Sequence, residues 1–366
     1  MKPKPIQRIF DVKPYQPGRP IDEVKRAMGL KKVVKLASNE NPFGPSPKVI
    51  KAIVAAAQDI NRYPDGGCYY LRRALARHLG VKEGQLVFGN GSDEIIIMAL
   101  RAFVEPGDEV VVSHPSFAVY TIGSKVVGAK LKIIPMVDFR HDLEAMAGAV
   151  TKKTRMVFID NPGNPSGGFI SSDEVRAFLK RVPKDVVVFL DEAYFEYVQK
   201  NKDFPRSIPW LKEYPNLVIA RTFSKVYGLA GLRVGYGITN AEIIDALNRV
   251  REPFNVNSIA QAAAVACLKD QSYYAKALKA VETERAYLYR QFKEMRLLCI
   301  PSVTNFILVD VACSSKKVSN ELLRRGVIVR DMNAWGLKTF IRVTIGTTGE
   351  NRKFIKALKA VLKKRS

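Results

Sequence analysis

The chain has 366 residues, room for one large and one smaller domain at about 100 to 200 residues each. With 47% hydrophobic and 26% charged residues and no repetitive or Cys-dense bias, its composition is that of a soluble globular protein and excludes fibrous and disulfide-scaffold classes. Lys plus Arg number 59 against 35 Asp plus Glu, a net charge of +24, so the surface field attracts anions.

That excess is spread along the chain, apart from Lys363, Lys364 and Arg365 at the end, and no helix-turn-helix, zinc-finger or RNA-recognition signature accompanies it. Nucleic acid is therefore not an expected partner. The first residues, MKPKPIQRIF, lack an apolar run of signal-peptide length, and nowhere do about 18 apolar residues follow one another. A cytoplasmic location with no membrane contact is expected. Pro3, Pro5, Pro14, Pro17 and Pro20 interrupt residues 1–35, which predicts an extended arm packed on a second domain or a partner subunit.

Seven β-rich runs then alternate with helix-like stretches: 86–89, 109–113, 130–134, 155–160, 186–191, 217–221 and 236–239. The alternation predicts an α/β large domain over 36–252, with a mostly parallel seven-stranded sheet covered on both faces. Val186-Val187-Val188-Phe189-Leu190 is apolar without alternation, as a strand buried on both faces requires. Ser171-Ser172-Asp173-Glu174 reads as a helix N-cap. Past Pro253, amphipathic helices such as 275–293 and strand-like 305–311, 327–330 and 340–345 predict a smaller α+β domain over 253–366. Cys68, Cys267, Cys299 and Cys313 form no CxxC pair, so they read as buried thiols, with no disulfide framework and no metal site.

In an open α/β sheet, ligands bind beyond the carboxyl ends of the strands. Gly89-Asn90-Gly91-Ser92-Asp93-Glu94 joins a strand to an apolar helix, and such a turn offers amides and a helix dipole to a phosphate. Glu94 stands where a dinucleotide fingerprint needs its third glycine, and an ordinary strand-to-helix turn reads the same way. A loop 161–167 follows Asp160, and Asp191-Glu192-Ala193-Tyr194 follows a wholly apolar strand. A carboxylate there is costly unless it meets a cation such as a protonated pyridine nitrogen, or unless it merely caps the next segment. The segment from Arg221 to Arg233 gathers Thr222, Ser224, Lys225 and two guanidinium groups, donors suited to phosphate oxygens beside a lysine able to form an imine.

This segment, with Asn164, Asp191 and Tyr194, resembles the fold-type-I pyridoxal-phosphate (PLP) aminotransferases, specifically the histidinol-phosphate aminotransferase group. The resemblance spans about Tyr15 to Leu362 and includes ASNENPFGP at Ala37 to Pro45, RYPD at Arg62 to Asp65, NPGNPSG at Asn161 to Gly167, DEAY at Asp191 to Tyr194, and TFSKVYGLAGLRVGY from Thr222. It implies that Lys225 holds the cofactor as a Schiff base and later moves the proton, and that Asp191 pairs with the pyridinium nitrogen. It further implies that Asn164 and Tyr194 bond the phenolic oxygen and that Phe117 stacks on the ring. Ser92, Asp93, Thr222, Ser224 and Arg233 are implied as the phosphate cup, with Tyr63 reaching it from the neighbouring subunit of a homodimer. Arg342 matches the carboxylate-gripping arginine, Arg330 the additional arginine for phosphate-bearing substrates, Asn39 a helper and Tyr15 an arm residue covering the substrate.

The implied reaction is transamination of histidinol phosphate and 2-oxoglutarate to imidazole acetol phosphate and glutamate, in histidine biosynthesis. Threonine-phosphate decarboxylase and aromatic amino acid aminotransferase are related alternatives, since sequence does not show which bond at the α-carbon stands perpendicular to the ring. A regulator that keeps PLP as a ligand is a third class, and the DNA-binding domain such proteins append has no counterpart signature here.

Overall fold

Among the described residues, 3–363 in this computed structural model, eleven strands form two sheets. They are β1 (Val34–Leu36), β2 (Leu86–Gly89), β3 (Glu109–His114), β4 (Lys130–Pro135), β5 (Thr154–Asp160), β6 (Val187–Asp191), β7 (Leu217–Thr222), β8 (Gly235–Ile238), β9 (Phe306–Asp310), β10 (Val327–Asp331) and β11 (Phe340–Thr344). Of the basic tail, Lys364 and Arg365 lie outside the described residues.

Contacts divide the chain into two units. The first comprises 45–164 and 169–271 with the N-terminal stretch up to Tyr15. Its seven-stranded sheet runs β2-β8-β7-β6-β5-β3-β4, parallel except for β8, which is antiparallel to β2 and to β7. Every residue of β6 and β7 is buried, which explains their unbroken apolar runs. Ile95, Ile96, Ala99 and Leu100 of the helix Ser92–Phe103 share a core with Val110, Phe158 and Phe189 of the sheet. Full burial of such side chains stabilises by roughly 1.5 to 3 kcal/mol each. Register places Asp160 of β5 beside Asp191 of β6, so the ends of these parallel strands, and the loops that follow, gather in one place.

The second unit comprises 16–44, 165–168 and the chain from Ser272 onward. Its four-stranded sheet runs β1-β10-β11-β9, with β1 parallel to β10 and the other pairs antiparallel.

Three expectations about organisation differ from this division. Residues 36–44 and 165–168, expected in the large domain, fall in the second unit. The arm over 1–35 is not uniformly extended: Ile21–Met28 is a helix and Val34–Leu36 a strand. Ile21, Val24 and Met28 recur at helical spacing and pack with Leu30, Val33, Ala37, Leu323 and Ile328. The preceding stretch lies on the first unit, where Arg8 Nε donates to the Val126 carbonyl at 2.9 Å and Lys125 Nζ to that of Asp11 at 3.1 Å. The third difference is the helix Ser258–Leu268, expected in the C-terminal domain, which packs on Pro47–Ala56 and Tyr69–Leu79 in the first unit. At Ser171 the expected cap is present as a reciprocal box: its hydroxyl accepts from the Glu174 amide, and its own amide donates to Glu174. Cys68 and Cys267 are buried, but Cys299 and Cys313 are only half-buried.

Candidate active site

Asp191 closes β6 and is 5% exposed. Its Oδ2 accepts from the Tyr120 hydroxyl at 2.7 Å and its Oδ1 from the Ala193 amide at 3.0 Å. Burial pushes this carboxyl up to about 7, against the Tyr120 hydrogen bond and with Asp160, the Ala193 amide and Asp93 as lesser influences; none of these is a cation. Tyr120 stacks on Phe158, with ring centres 4.7 Å apart, and meets Phe117 edge-on at 5.6 Å. Phe117, itself the N-cap of the helix Ala118–Val127, is thereby tied to the same carboxylate.

The loop after β7 carries Lys225, half-buried, with Nζ 5.4 Å from the centre of the Tyr194 ring. Tyr194 is 4% exposed, three residues beyond Asp191. Asn164 is held from the backbone: its amide donates to Asp160 Oδ2 at 2.6 Å.

A second cluster forms where β8 meets the helix Ser92–Phe103. Arg233 adopts a left-handed conformation, φ 57°, and reaches Asp93 Oδ2 at 3.3 Å and the Ser224 hydroxyl at 3.4 Å. Ser224 in turn donates its amide to the Thr222 hydroxyl at 3.1 Å. Ser92 is buried at the first turn of the helix. Glycine is required twice: a Cβ on Gly91, at φ 85°, would strike the Arg233 guanidinium, and one on Gly235 would lie 2.7 Å from the Gly91 carbonyl carbon. Ser92, Asp93, Thr222, Ser224 and Arg233 are thus one anion-receptive cup of amide, hydroxyls and guanidinium at a helix N-terminus.

Arg221, the segment's other guanidinium, belongs elsewhere. It is 3% exposed, pairs with Glu192 through Nη2 at 2.7 Å and Nε at 2.8 Å, and covers the Phe195 ring. A fully buried Glu192 demands such a partner, so this pair braces the sheet.

Tyr63 is 84% exposed and stacks on Phe254, with Ile60, Tyr69, Tyr70 and Val54 also exposed in the first unit. Tyr15 is 53% exposed.

In the second unit, Arg330 of β10 and Arg342 of β11 are register partners on antiparallel strands. Directly opposite residues share a face, with Cβ atoms about 4.5 to 5.5 Å apart. Arg330 Nη2 donates to the Gln16 carbonyl at 2.9 Å and its guanidinium covers Trp335; Arg342 Nη2 donates to the Ala37 carbonyl at 3.1 Å and covers Phe306. Thr344, two residues along β11 and so on the same face as Arg342, accepts the Asn39 amide at 2.9 Å and donates to its side-chain oxygen at 3.2 Å. Asn39 is 2% exposed with φ 55°, and its carbonyl accepts from Asn305. The ASNENPFGP segment is therefore laid along this face.

Sequence reasoning missed Tyr120, Asp160 and His141. Asp160 ends an apolar strand as Asp191 does, and the same burial argument would have found it. Tyr120 and His141 carry no local signal, because their roles come from contacts across the sheet. Among the described residues no cluster of metal-ligating side chains occurs, and no helix is long and apolar enough to cross a membrane.

A lysine, a buried carboxylate and an anion cup near the ends of neighbouring strands in a mostly parallel seven-stranded sheet are groups that a PLP-type transferase would use. The chain belongs to the aminotransferase class I and II family, whose model matches residues 31–358. It is 50% identical over 361 residues to the histidinol-phosphate aminotransferase of Moorella thermoacetica, covering 98% of this chain and 93% of that one. It is 49% identical over 359 residues to the Brevibacillus brevis histidinol-phosphate aminotransferase, covering 98% of each. The crystal structure of histidinol-phosphate aminotransferase from Sinorhizobium meliloti, in complex with pyridoxal-5'-phosphate, superposes with a TM-score of 0.92 at 31% identity, covering 100% of this chain and 99% of that one.

Proposed function

We propose that this chain is a PLP-dependent histidinol-phosphate aminotransferase, exchanging an amino group between histidinol phosphate and 2-oxoglutarate to give imidazole acetol phosphate and glutamate in histidine biosynthesis. The observation that carries the substrate reading is the Arg330–Arg342 register pair. Like charges directly opposite each other on a sheet destabilise it, and a doubly charged phosphate relieves both.

When bound, PLP supplies an electron sink for the substrate's α-carbon. The residues fit it. Asp191 is a buried carboxyl with raised proton affinity, and a pyridinium nitrogen is the cation that would restore its charge. The cup of Ser92, Asp93, Thr222, Ser224 and Arg233 has the donors for a phosphate, and Gly91 and Gly235 keep it open.

In this reading Lys225 Nζ binds the cofactor and then carries the proton at the substrate's α-carbon. Tyr194 and Asn164 hold the cofactor's phenolic oxygen, and Phe117 covers the ring face. Arg342 grips the α-carboxylate of glutamate, whereas the phosphate of histidinol phosphate uses Arg330 as well, with Asn39 and Tyr15 completing the substrate's surroundings. The working form is a cytoplasmic homodimer in which Tyr63 of one copy reaches the other's phosphate; the exposed Ile60, Tyr63, Tyr69, Tyr70 and Phe254 suit such a surface.

The test is to incubate purified protein with PLP and, separately, histidinol phosphate, threonine phosphate and phenylalanine. Keto-product formation from histidinol phosphate with 2-oxoglutarate is expected. CO2 release from threonine phosphate would replace this reading with a decarboxylase, and a preference for phenylalanine would replace it with an aromatic aminotransferase.

A further inference from the structure

His141 lies outside the residues assigned to cofactor or substrate, yet its side chain is only 3% exposed and its Nε2 stands 2.9 Å from Asp160 Oδ1 and 3.0 Å from the Asp160 carbonyl oxygen. Both neighbours are acceptors, so Nε2 carries the hydrogen; it donates to the Asp160 carbonyl, while Oδ1 lies against the ring N–H without a hydrogen bond of its own. Asp160, with its side chain 5% exposed, faces two ways. Its Oδ2 takes the Asn164 amide at 2.6 Å, and its strand register sets it beside Asp191 on the same face of the sheet. Two neighbouring buried carboxylates repel, and a donor on one changes the field at the other.

We propose that His141 is a positioning residue: by holding Asp160 it fixes the Asn164 backbone and sets the electrostatic potential at Asp191. The inference rests on the reading of Asp191 and Asn164 as cofactor contacts. Asp160 contributes to the raised proton affinity of Asp191, so whatever neutralises Asp160 is felt there. Of the surrounding charges, Arg140 pairs with Glu174 at 2.8 Å and Arg181 pairs with Glu144. Asp142 caps the helix Leu143–Gly148 through the Ala145 amide, and Asp138 is exposed. Beyond Asp160, Asp191 is met by the Tyr120 hydroxyl. His141 is thus the group in contact with Asp160 that can answer its charge.

The experiment is a double-mutant cycle read by spectroscopy: titrate the visible absorbance of bound PLP against pH in the unchanged protein, His141→Phe, Asp160→Asn and the double variant. His141→Phe is expected to move the midpoint by about 0.5 to 1 unit, and to move it far less when Asp160 is already Asn. His141→Gln, which keeps a donor near the Nε2 position, is expected to return the midpoint most of the way, and it serves where the Phe variant folds poorly. An unmoved midpoint in both His141 variants, or an equal shift in the two backgrounds, overturns the inference while PLP binding itself stands. An unchanged protein without a visible band that borohydride abolishes overturns the cofactor reading and this inference together.

Discussion

The ends of β5, β6 and β7 and the facing strands β10 and β11 solve opposite problems. The first keeps an acid in a dry place: Asp191, flanked by Asp160 and met by a hydroxyl and an amide. The second sets two cations against each other, Arg330 opposite Arg342, each steadied by a carbonyl and an aromatic face. Each arrangement stores an electrostatic cost that a ligand of the other sign removes. In the proposed reading the buried acid suits a cofactor that stays in place, whereas the cationic pair, with Arg342 buried and Arg330 half-buried, suits anions that come and go. On this view chemistry belongs to the first region and choice of substrate to the second, and variants in the two regions ought to fail differently.

The largest failure is expected at Lys225. Lys225→Ala removes the proposed proton carrier and is expected to lower turnover by at least the ~10² to 10⁴-fold typical of a lost general acid or base, for every substrate alike. PLP should still bind through Asp191 and the phosphate cup, as equilibrium dialysis would report; near-normal turnover sinks the assignment. Asp191→Asn keeps shape but cannot stabilise a ring cation, and the single-turnover rate is expected to fall by roughly 10² to 10³-fold, the scale on which removed electrostatic stabilisers act. Again both substrates suffer equally. A substrate-dependent loss would mean that the two regions do not divide the work.

Much of the first region was legible because its parts are local. Asp191 announces itself as a carboxylate ending an apolar run, and Thr222, Ser224, Lys225 and Arg233 lie within one short segment. Where meaning depends on pairing across the chain, sequence was mute. Val34–Leu36 is too short to read as a strand until β10 supplies its partner, and the apolar composition of Ser258–Leu268 says that it packs but not on which unit. Arg221 begins the same segment as the phosphate donors, but its pairing with Glu192 is known only through the fold. Arg330 was readable as a residue ending one strand and Arg342 as one at the start of or within the next, but their direct opposition required the register.

The second region's failure is expected to be smaller and selective. Arg330→Leu removes donors from a phosphate dianion, which is expected to cost histidinol phosphate about 1.5 to 3 kcal/mol in kcat/KM, the range for hydrogen bonds to charged groups. Glutamate, whose carboxylate is proposed to rely chiefly on Arg342, should lose less. Equal losses, or a loss confined to glutamate, would show that Arg330 does not read the phosphate.

The smallest effect sharpens the comparison from the side of stability, in the protein freed of PLP. Burial raises Asp191 from 3.8 to about 7 and Glu196 from 4.5 to about 7, the latter against the pull of Arg221. Between the unfolded and folded values the native chain holds protons that the unfolded chain has lost, so unfolding releases protons and stability falls as pH rises. Their contribution is complete below about pH 4, fades through about pH 7, and leaves the full cost of two buried charges above it. Asp191→Asn deletes one of the two, so the drop in Tm between about pH 5 and about pH 8 is expected to be shallower by a few degrees than in the unchanged apoprotein. Taking the difference between the two proteins cancels the other titrating groups. Adding PLP to the unchanged protein is expected to flatten its curve in the same sense, since a pyridinium beside Asp191 keeps that carboxylate ionised at no further cost. Parallel curves for apoprotein, variant and holoprotein would mean that Asp191 is not an acid held against its charge, and the contrast between the two regions would lose its first half.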